Sequence, residues 1–569
     1  MTGLGFRRDW YPLIAGVLIV VVFELALILW TTHGNFTYTL DDPYIHLALA
    51  ENLARFGHYG INVEEYSSAS SSIIWPLLLV PFFAIGIGPY GPIVLNIPLA
   101  IVTALVLHRT IKSATEAHGR EISRVSWAWA LLALLATNGF GVIFMGMEHS
   151  LHILVTVSIM YFVNRMRLVA DGGRKIQNGY DDILLALCIL LSPLIRFEGL
   201  AISAFAIAML AAMGRVHLAV LSAALIVLAL ALYFYAMHTI GLPWLPSSVL
   251  VKSAAAADTA AQTDLAAKLL SAISHAGSNA IANLQNPEAV LLLLLTLLIG
   301  LQALRAWYVG ERVSPVYVAG GLVVVGLHMA FGNFGWYGRY QSYVFAFAIC
   351  VALYVFSPLF GRVAALSYKR QKQLAVIGIF CMLAVLVRFG LSQVFMPVIT
   401  TPIAALNIYE QQRQMHEFVT RHWKAPVAVN DIGYVAFQND EYVLDLWGLG
   451  SEEARRLRQS GDRDMLRKLT EKHDVHLAMI YEVSFSKNIP PDWQKVAELR
   501  LSAHRITPAY DQVSFFVFGL SQAGCFRVAD QLTEFARTLA RPKNLTVDRG
   551  ACERPEISRD RKGRRATDS

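Results

Sequence analysis

Residues 12–30, PLIAGVLIVVVFELALILW, form a 19-residue apolar run with a single charge, Glu24, followed at 31–46 by TTHGNFTYTLDDPYIH. A helix needs about 17–25 apolar residues to cross ~30 Å of hydrocarbon. The first segment therefore reads as a membrane span, and the second as a polar loop held at the membrane surface. Arg7 and Arg8 precede the run as they would in a secretory signal, but its length and the absence of a small-residue cleavage site favour a retained anchor.

The pattern repeats along the chain. Further runs at roughly 91–108, 125–143, 150–163, 181–195, 197–213, 216–240, 288–308, 314–331, 340–359 and 373–395 bring the count to eleven. Composition agrees: 55% of the 569 residues are apolar and 16% charged, against about 45–50% and about 25% in soluble proteins. A soluble single domain, a disordered chain and a collagen-like fibre are excluded. Residues 73–87 are also apolar but hold Pro76, Pro81 and Gly86, and about fifteen such residues are short for a span. If they do not cross, the loops on one face carry 17 Lys or Arg and those on the other carry five: Arg55, Arg196, Lys252, Lys268 and Arg339. If they cross, the sets are scrambled, against the positive-inside bias. The expectation is a hairpin at 73–88, a cytoplasmic N-terminus and an outward C-terminal domain. The short runs 150–163 and 181–195 are expected to line a polar cavity rather than face lipid.

The predicted fold is thus a polytopic α-helical membrane module of about eleven spans (1–399), with its first outer loop at 31–90. After it, β-branched runs such as Val427-Ala428-Val429 and Tyr442-Val443-Leu444 alternate with helical patterns, which predicts an extracytoplasmic α/β domain at 400–540. From Arg541 the sequence turns polar with hardly any aromatics, predicting a disordered tail at 541–569. Four of the seven net positive charges fall on that tail, and 17 of the 23 Lys or Arg before residue 400 fall on the loops expected to be cytoplasmic. Nucleic acid is therefore excluded as a partner, and membrane lipid is the expected surroundings. Five cysteines are too few for a disulfide framework or a metal knuckle, leaving one open question, a Cys525–Cys552 bridge.

Candidate chemistry collects on the outer face. Asp41-Asp42-Pro43 suits a helix start, since Asp caps and Pro fits the first turn, but two adjacent carboxylates at a membrane surface also suit a site. The same face holds Tyr44, His46, Glu64, Glu65, Tyr66, Gly146-Met147-Glu148-His149, Arg196-Phe197-Glu198-Gly199, Pro246 to Lys252, and Trp336 to Tyr340. Charges at membrane depth cost about 2.5–3.5 kcal/mol and persist mainly where paired or functional. Arg196 with Glu198 also reads as a local ion pair, and Glu148-His149 as a helix cap. A carboxylate base with cations that can grip phosphate fits a sugar carried on a polyprenyl phosphate. Asp41 or Asp42 would take the acceptor proton while Arg196, Lys252 or Arg339 steadies the departing phosphate. No nucleotide-binding glycine loop is present.

These residues resemble the GT-C superfamily of integral-membrane glycosyltransferases, and within it the bacterial arabinofuranosyltransferase-like proteins. The similarity runs from Asp41-Asp42-Pro43-Tyr44-Ile45 through Leu49-Ala50-Glu51-Asn52-Leu53-Ala54, Gly57-His58-Tyr59-Gly60 and Tyr66-Ser67-Ser68 to Trp75. It continues at Gly146-Met147-Glu148, Arg196-Phe197-Glu198-Gly199, Gly241 to Lys252, Asp431-Ile432-Gly433 and Leu444 to Leu449. Pro43, Phe197 and the Ser67–Ser72 spacer depart from the family pattern. The resemblance implies inverting transfer from a polyprenyl-phosphate sugar to an envelope glycan, lipid or protein, at the outer face of a bacterial cytoplasmic membrane. Asp41 is then favoured as base and Asp42 as substrate or metal contact. Tyr44, His46, Tyr66, Arg196, Glu198, Lys252, Arg339 and Tyr340 are candidate substrate or phosphate contacts. Some relatives use a divalent cation; here Asp42, Glu148 and His149 are the candidate ligands. A transporter of a polyprenyl-linked sugar is the competing reading, which predicts mid-bilayer charges and internal repeats. A binding-only envelope protein would be indifferent to the carboxylates.

Overall fold

The computed structural model describes residues 10–116, 126–171, 179–252, 264–365, 369–370, 373, 394–507 and 509–553. Ten of the eleven expected runs coincide with helices; most of the eleventh, 373–395, lies outside the described residues. Among the described residues five helices are long and apolar enough to cross a membrane: Trp10–Thr31, Gly88–Thr115, Val216–Thr239, Pro287–Tyr308 and Ser342–Leu359. Others, such as Ser126–Ala136 and Gly199–Ala212, are shorter apolar helices. Trp75–Ala84 has ten residues, about 15 Å of helix and half a bilayer core. The chain then turns through Gly86, at φ +78°, toward Gly91–Glu116.

The helix at Ser342–Ala365 packs against His149–Asp171, which in turn lies against Gly91–Glu116. Within this core Asn164 donates to the Cys350 carbonyl at 3.0 Å and accepts from the Tyr317 hydroxyl at 2.5 Å, joining three helices by polar contacts where hydrophobicity alone discriminates poorly. Val216–Thr239, by contrast, leaves Val220, Leu228, Leu232 and Tyr235 exposed, the pattern of a lipid-facing helix. One helix was not foreseen, Leu265–Asn283. Its Asn279 and Asn283 side chains donate to the carbonyls that end Pro315–Phe331.

The first outer loop is built as its residues suggest. The helix Asp42–Phe56 has Pro43 in its first turn and Gly57 closing it at φ +65°, the preferred start and stop for a short helix. A buried serine seam ties this loop to a later one: Ser68 Oγ lies 3.1 Å from Ser247 Oγ, and Ser248 donates to the Ser70 carbonyl at 2.6 Å.

The C-terminal domain is a six-stranded mixed sheet in the order β2-β1-β3-β5-β4-β6, with β1 at Val427–Val429, β2 at Val443–Asp445, β3 at Leu477–Ile480, β4 at Gln494–Arg500, β5 at Gln512–Val517 and β6 at Leu545–Val547. β1, β2 and β3 run parallel; β5 is antiparallel to β3 and β4. One face packs Leu466, Leu469 and Phe516 under the helices Glu452–Gln459 and Met465–Lys472. The other belongs to a buried cluster that continues without a break into the membrane module. From the first loop, Asn62 accepts from the Val443 N–H at 2.9 Å and donates to its carbonyl at 3.0 Å.

The domain boundary needs correction. Residues 541–553 are not a disordered tail: β6 pairs with β4, and Cys552 forms a disulfide with Cys525. The polar composition that suggested disorder hides a short edge strand whose order comes from pairing and the crosslink. Residues 554–569 lie outside the described residues.

Candidate active site

Four parts of the chain meet at one cavity of about 410 Å³: the first loop, the helix Ser247–Lys252 through Val251, the segment after Pro315–Phe331, and the C-terminal domain. Its wall includes Asp41, Asp42, Trp336, Arg339, Asp431 and Tyr481. Asp42 Oδ2 pairs with Arg339 at 2.7 Å, and Arg339 also donates to the Tyr340 hydroxyl at 3.1 Å and to Met147 Sδ at 3.0 Å. Its guanidinium lies 5.6 Å from the Trp336 ring centroid and 4.9 Å from that of Tyr340. These contacts fix a cation, 2% exposed, at the cavity wall.

Asp41 does not cap its own helix. Its two carboxylate oxygens accept from the Gly433 and Tyr434 N–H groups at 2.7 and 2.8 Å, holding the domain to the loop. A Cβ at position 433 would stand 2.1 Å from the Asp41 carbonyl oxygen, so the approach requires glycine. Burial holds the Asp41 carboxyl well above its ordinary range, and the neighbouring Asp431 and Asp42 add to the effect over the two N–H donors. Asp431 is also raised, first by burial and then by Asp42, although the Tyr481 hydroxyl donates to it at 2.5 Å and Gln412 at 2.8 Å.

A second group of charges lies behind this wall. Glu148 is fully buried, accepting from Arg196 at 2.7 Å and Ser71 at 2.9 Å, with His46 at 3.5 Å. Arg196 also donates to Glu198 at 2.8 Å. Burial would raise Glu148 and Glu198, but the facing cations overcome it: His46 and Arg196 bring Glu148 below its ordinary value, and Arg196 brings Glu198 to about 2. Tyr340 stands between the two groups, with the Arg196 guanidinium 5.8 Å from its ring and that of Arg339 at 4.9 Å.

Of the residues expected at the site, Asp41, Asp42, Arg339 and Tyr340 line the cavity. Arg196 and Glu198 form the ion pair that the sequence also allowed, and with His46 they secure Glu148. Tyr44 accepts from the Tyr38 N–H and packs on Tyr434 at 4.1 Å, while half-exposed Tyr66 stacks on His58 at 4.3 Å. None of these five residues is brought to the cavity wall. Lys252 ends the helix Ser247–Lys252, whose Val251 lines the cavity; the Lys252 side chain lies outside what is described.

A family described as a domain of unknown function (DUF8728) matches residues 405–516. No curated protein matches the chain. Among solved structures, the chain is similar to ArnT from Cupriavidus metallidurans bound to undecaprenyl phosphate, at 10% identity and TM-score 0.46, covering 88% of this chain and 98% of that one. It is also similar to the Archaeoglobus fulgidus oligosaccharyltransferase in its apo form, at 11% identity and TM-score 0.41, over 87% and 74% of the two chains. AglB from the same organism, in complex with an inhibitory peptide and a dolichol-phosphate, gives 11%, 0.42, 86% and 73%.

The candidate ligands of a divalent cation, Asp42, Glu148 and His149, are each turned toward an arginine. Asp42 is engaged by Arg339 and Glu148 by Arg196, and His149 Nε2 lies 3.5 Å from the same guanidinium. Among the described residues no group of three His, Cys, Asp or Glu is placed to hold a metal ion. Sequence reasoning missed Asp431, Gln412, Trp447 and Tyr481. Asp431-Ile432-Gly433 and Leu444–Leu449 stood out as family-like segments, a signal that marked the place but assigned no role.

Proposed function

We propose that the chain is a GT-C-type glycosyltransferase that moves a sugar from a polyprenyl-phosphate donor to an envelope acceptor at the outer face of a bacterial cytoplasmic membrane. The observation that carries this reading is the single cavity in which Asp41, with raised basicity, and the fixed cation Arg339 share a wall between an apolar helical module and a polar domain. A polyprenyl chain is retained by lipid and its phosphate by Arg339, which leaves the anomeric carbon at the level of the aspartates.

Asp41 accepts the proton of the acceptor hydroxyl as that oxygen bonds to the anomeric carbon. The bond from the carbon to the phosphate oxygen breaks with its electron pair, and polyprenyl phosphate departs. The two backbone N–H donors orient Asp41, and burial supplies basicity above that of an ordinary carboxylate. Asp42 positions Arg339. Attack on the face opposite the phosphate inverts the anomeric centre, as the family resemblance implies.

The full topology of about eleven spans with an outward C-terminal domain belongs to the same reading. The 17 to 5 distribution of Lys and Arg supports it, as does the Cys525–Cys552 bridge, since disulfides persist in oxidising compartments. The test is transfer of radiolabel from polyprenyl-phosphate sugars to an envelope extract by purified protein in lipid discs. Wild type is expected to transfer, and a folded Asp41→Asn variant to lose that transfer. A folded Asn variant working at the wild-type rate would rule the mechanism out.

A further inference from the structure

The cavity at Asp42 and Arg339 is not closed on its domain side. Tyr481 and Tyr510, ring centroids 5.3 Å apart, line it and also line a second cavity of about 250 Å³. That second space is walled by Glu482, Ser486, Asp511, Gln512 and Ser514. The two cavities adjoin at this pair of tyrosines, and a path from one to the other would pass between them.

The chemistry changes along it. The inner cavity includes Ile45, Val251, Trp336 and Leu449, an apolar lining suited to a lipid-linked group. The outer cavity presents the Ser486 hydroxyl, the Gln512 carboxamide and the carboxylates of Asp511 and Glu482, the last already accepting from Lys495 and Ser514, beside tyrosine rings. Directional acceptors and donors next to flat apolar faces match a ligand with hydroxyls at its rim and C–H groups on its ring faces. An apolar peptide or lipid tail would strip water from Glu482 and Asp511 without replacing their hydrogen bonds. An anionic partner would meet two carboxylates, while the nearby cation, Lys495, is held by Glu482 at 2.8 Å and Glu498 at 2.9 Å.

The path is mechanically tied to the catalytic wall. Gln411 donates to the Tyr510 carbonyl at 3.0 Å and its side-chain oxygen lies 2.9 Å from the Tyr481 hydroxyl, which donates to Asp431. A chain lying on the tyrosines is therefore registered against the aspartates and does not rest on a mobile surface.

We infer that Glu482, Ser486, Asp511 and Gln512, with the Tyr481–Tyr510 pair, form an extended acceptor subsite for a neutral oligosaccharide of more than one residue. This deepens, and rests on, the glycosyl-transfer reading, since it takes the sugar at the inner end of the path to be the one that receives the new linkage.

Saturation-transfer NMR on the full chain in detergent tests it, with size-fractionated neutral oligosaccharides of the malto, manno and arabino series as probes and oligogalacturonates as the acidic comparison. At least one neutral series is expected to bind, more tightly as it lengthens beyond a single residue. Affinity should fall about tenfold in the folded Glu482→Ala/Gln512→Ala variant, as the loss of one or two ligand hydrogen bonds implies. Absence of binding by every neutral series overturns the subsite. So does equal binding of oligogalacturonates, or affinity that the double variant leaves unchanged. If neutral chains bind and the variant loses them while wild type consumes no polyprenyl-phosphate sugar, the subsite stands and the transferase reading falls.

Discussion

Glu148, fully buried, and Asp41, half-buried at the cavity wall, are two carboxylates whose surroundings differ in kind. Glu148 faces Arg196 and His46, is held below its ordinary pKa, and sits in a group where each charge has a partner. Asp41 faces Asp431 and Asp42, is oriented only by backbone N–H groups, and is held well above its ordinary pKa. The first arrangement lowers the energy of a charge that never needs to change. The second, on the proposed mechanism, keeps a proton acceptor ready at a cavity wall. The contrast teaches that burial alone does not mark a catalytic carboxylate; what matters is whether the neighbours settle its charge or leave it unsettled.

The largest test of the contrast is Asp41→Asn. Loss of a general base costs about 10²–10⁴-fold in rate, and transfer is expected to fall by that amount with only a modest drop in melting temperature, since the amide oxygen keeps one of the two domain N–H groups and leaves the other without its acceptor. Glu148→Gln should do the reverse. Breaking a buried pair costs about 3–5 kcal/mol, so thermal unfolding should drop steeply while the remaining folded protein keeps its kcat. A rate loss without a stability loss would move Glu148 into the catalytic group. Arg339→Lys exchanges a fork for a point charge; the loss of a charge-assisted bond, about 1.5–3 kcal/mol, should raise the donor KM about 10–100-fold with a smaller change in kcat.

The smallest effect is a displacement along the pH axis. Asp41 gains its proton as pH falls through a pKa above the usual carboxylate range, so the acid limb of kcat/KM should lie above that range. Glu148 and Glu198 are depressed, the latter to about 2. Their stabilising contribution is therefore present above the ordinary carboxylate pKa and is lost only as pH falls toward that low value. Melting temperature should hold or rise across the pH interval in which activity disappears, because folded Asp41 binds its proton more tightly than the unfolded chain does; a parallel fall of both would erase the distinction between the two groups.

The sequence carried the membrane module well because a span is a local property: composition over 20 residues decides it. Asp41-Asp42-Pro43 was also legible as a helix start, and the helix Asp42–Phe56 begins there while Asp41 and Asp42 line the cavity. Arg339 and Tyr340 were found because a charge at a span end is costly. Asp431 and Tyr481 were not, because their place at the wall depends on contacts nearly 400 positions long, such as Gly433 with Asp41. The helix Leu265–Asn283 escaped notice because it has one apolar side and no continuous run. The strand at Leu545–Val547 was hidden in a polar segment, where three residues of pairing leave no compositional trace.

Asn62 has a consequence away from catalysis. A sheet with open edges is a template for pairing with other chains, and this sheet ends in two strands of only three residues, β2 and β6. Asn62 takes up the outward N–H and C=O of Val443 as a further strand would, and Cys552 closes the other end back onto the domain. Protection of one edge is thus supplied by the membrane module itself, so a domain severed from its bundle would expose a β2 edge able to recruit its neighbours into aggregates.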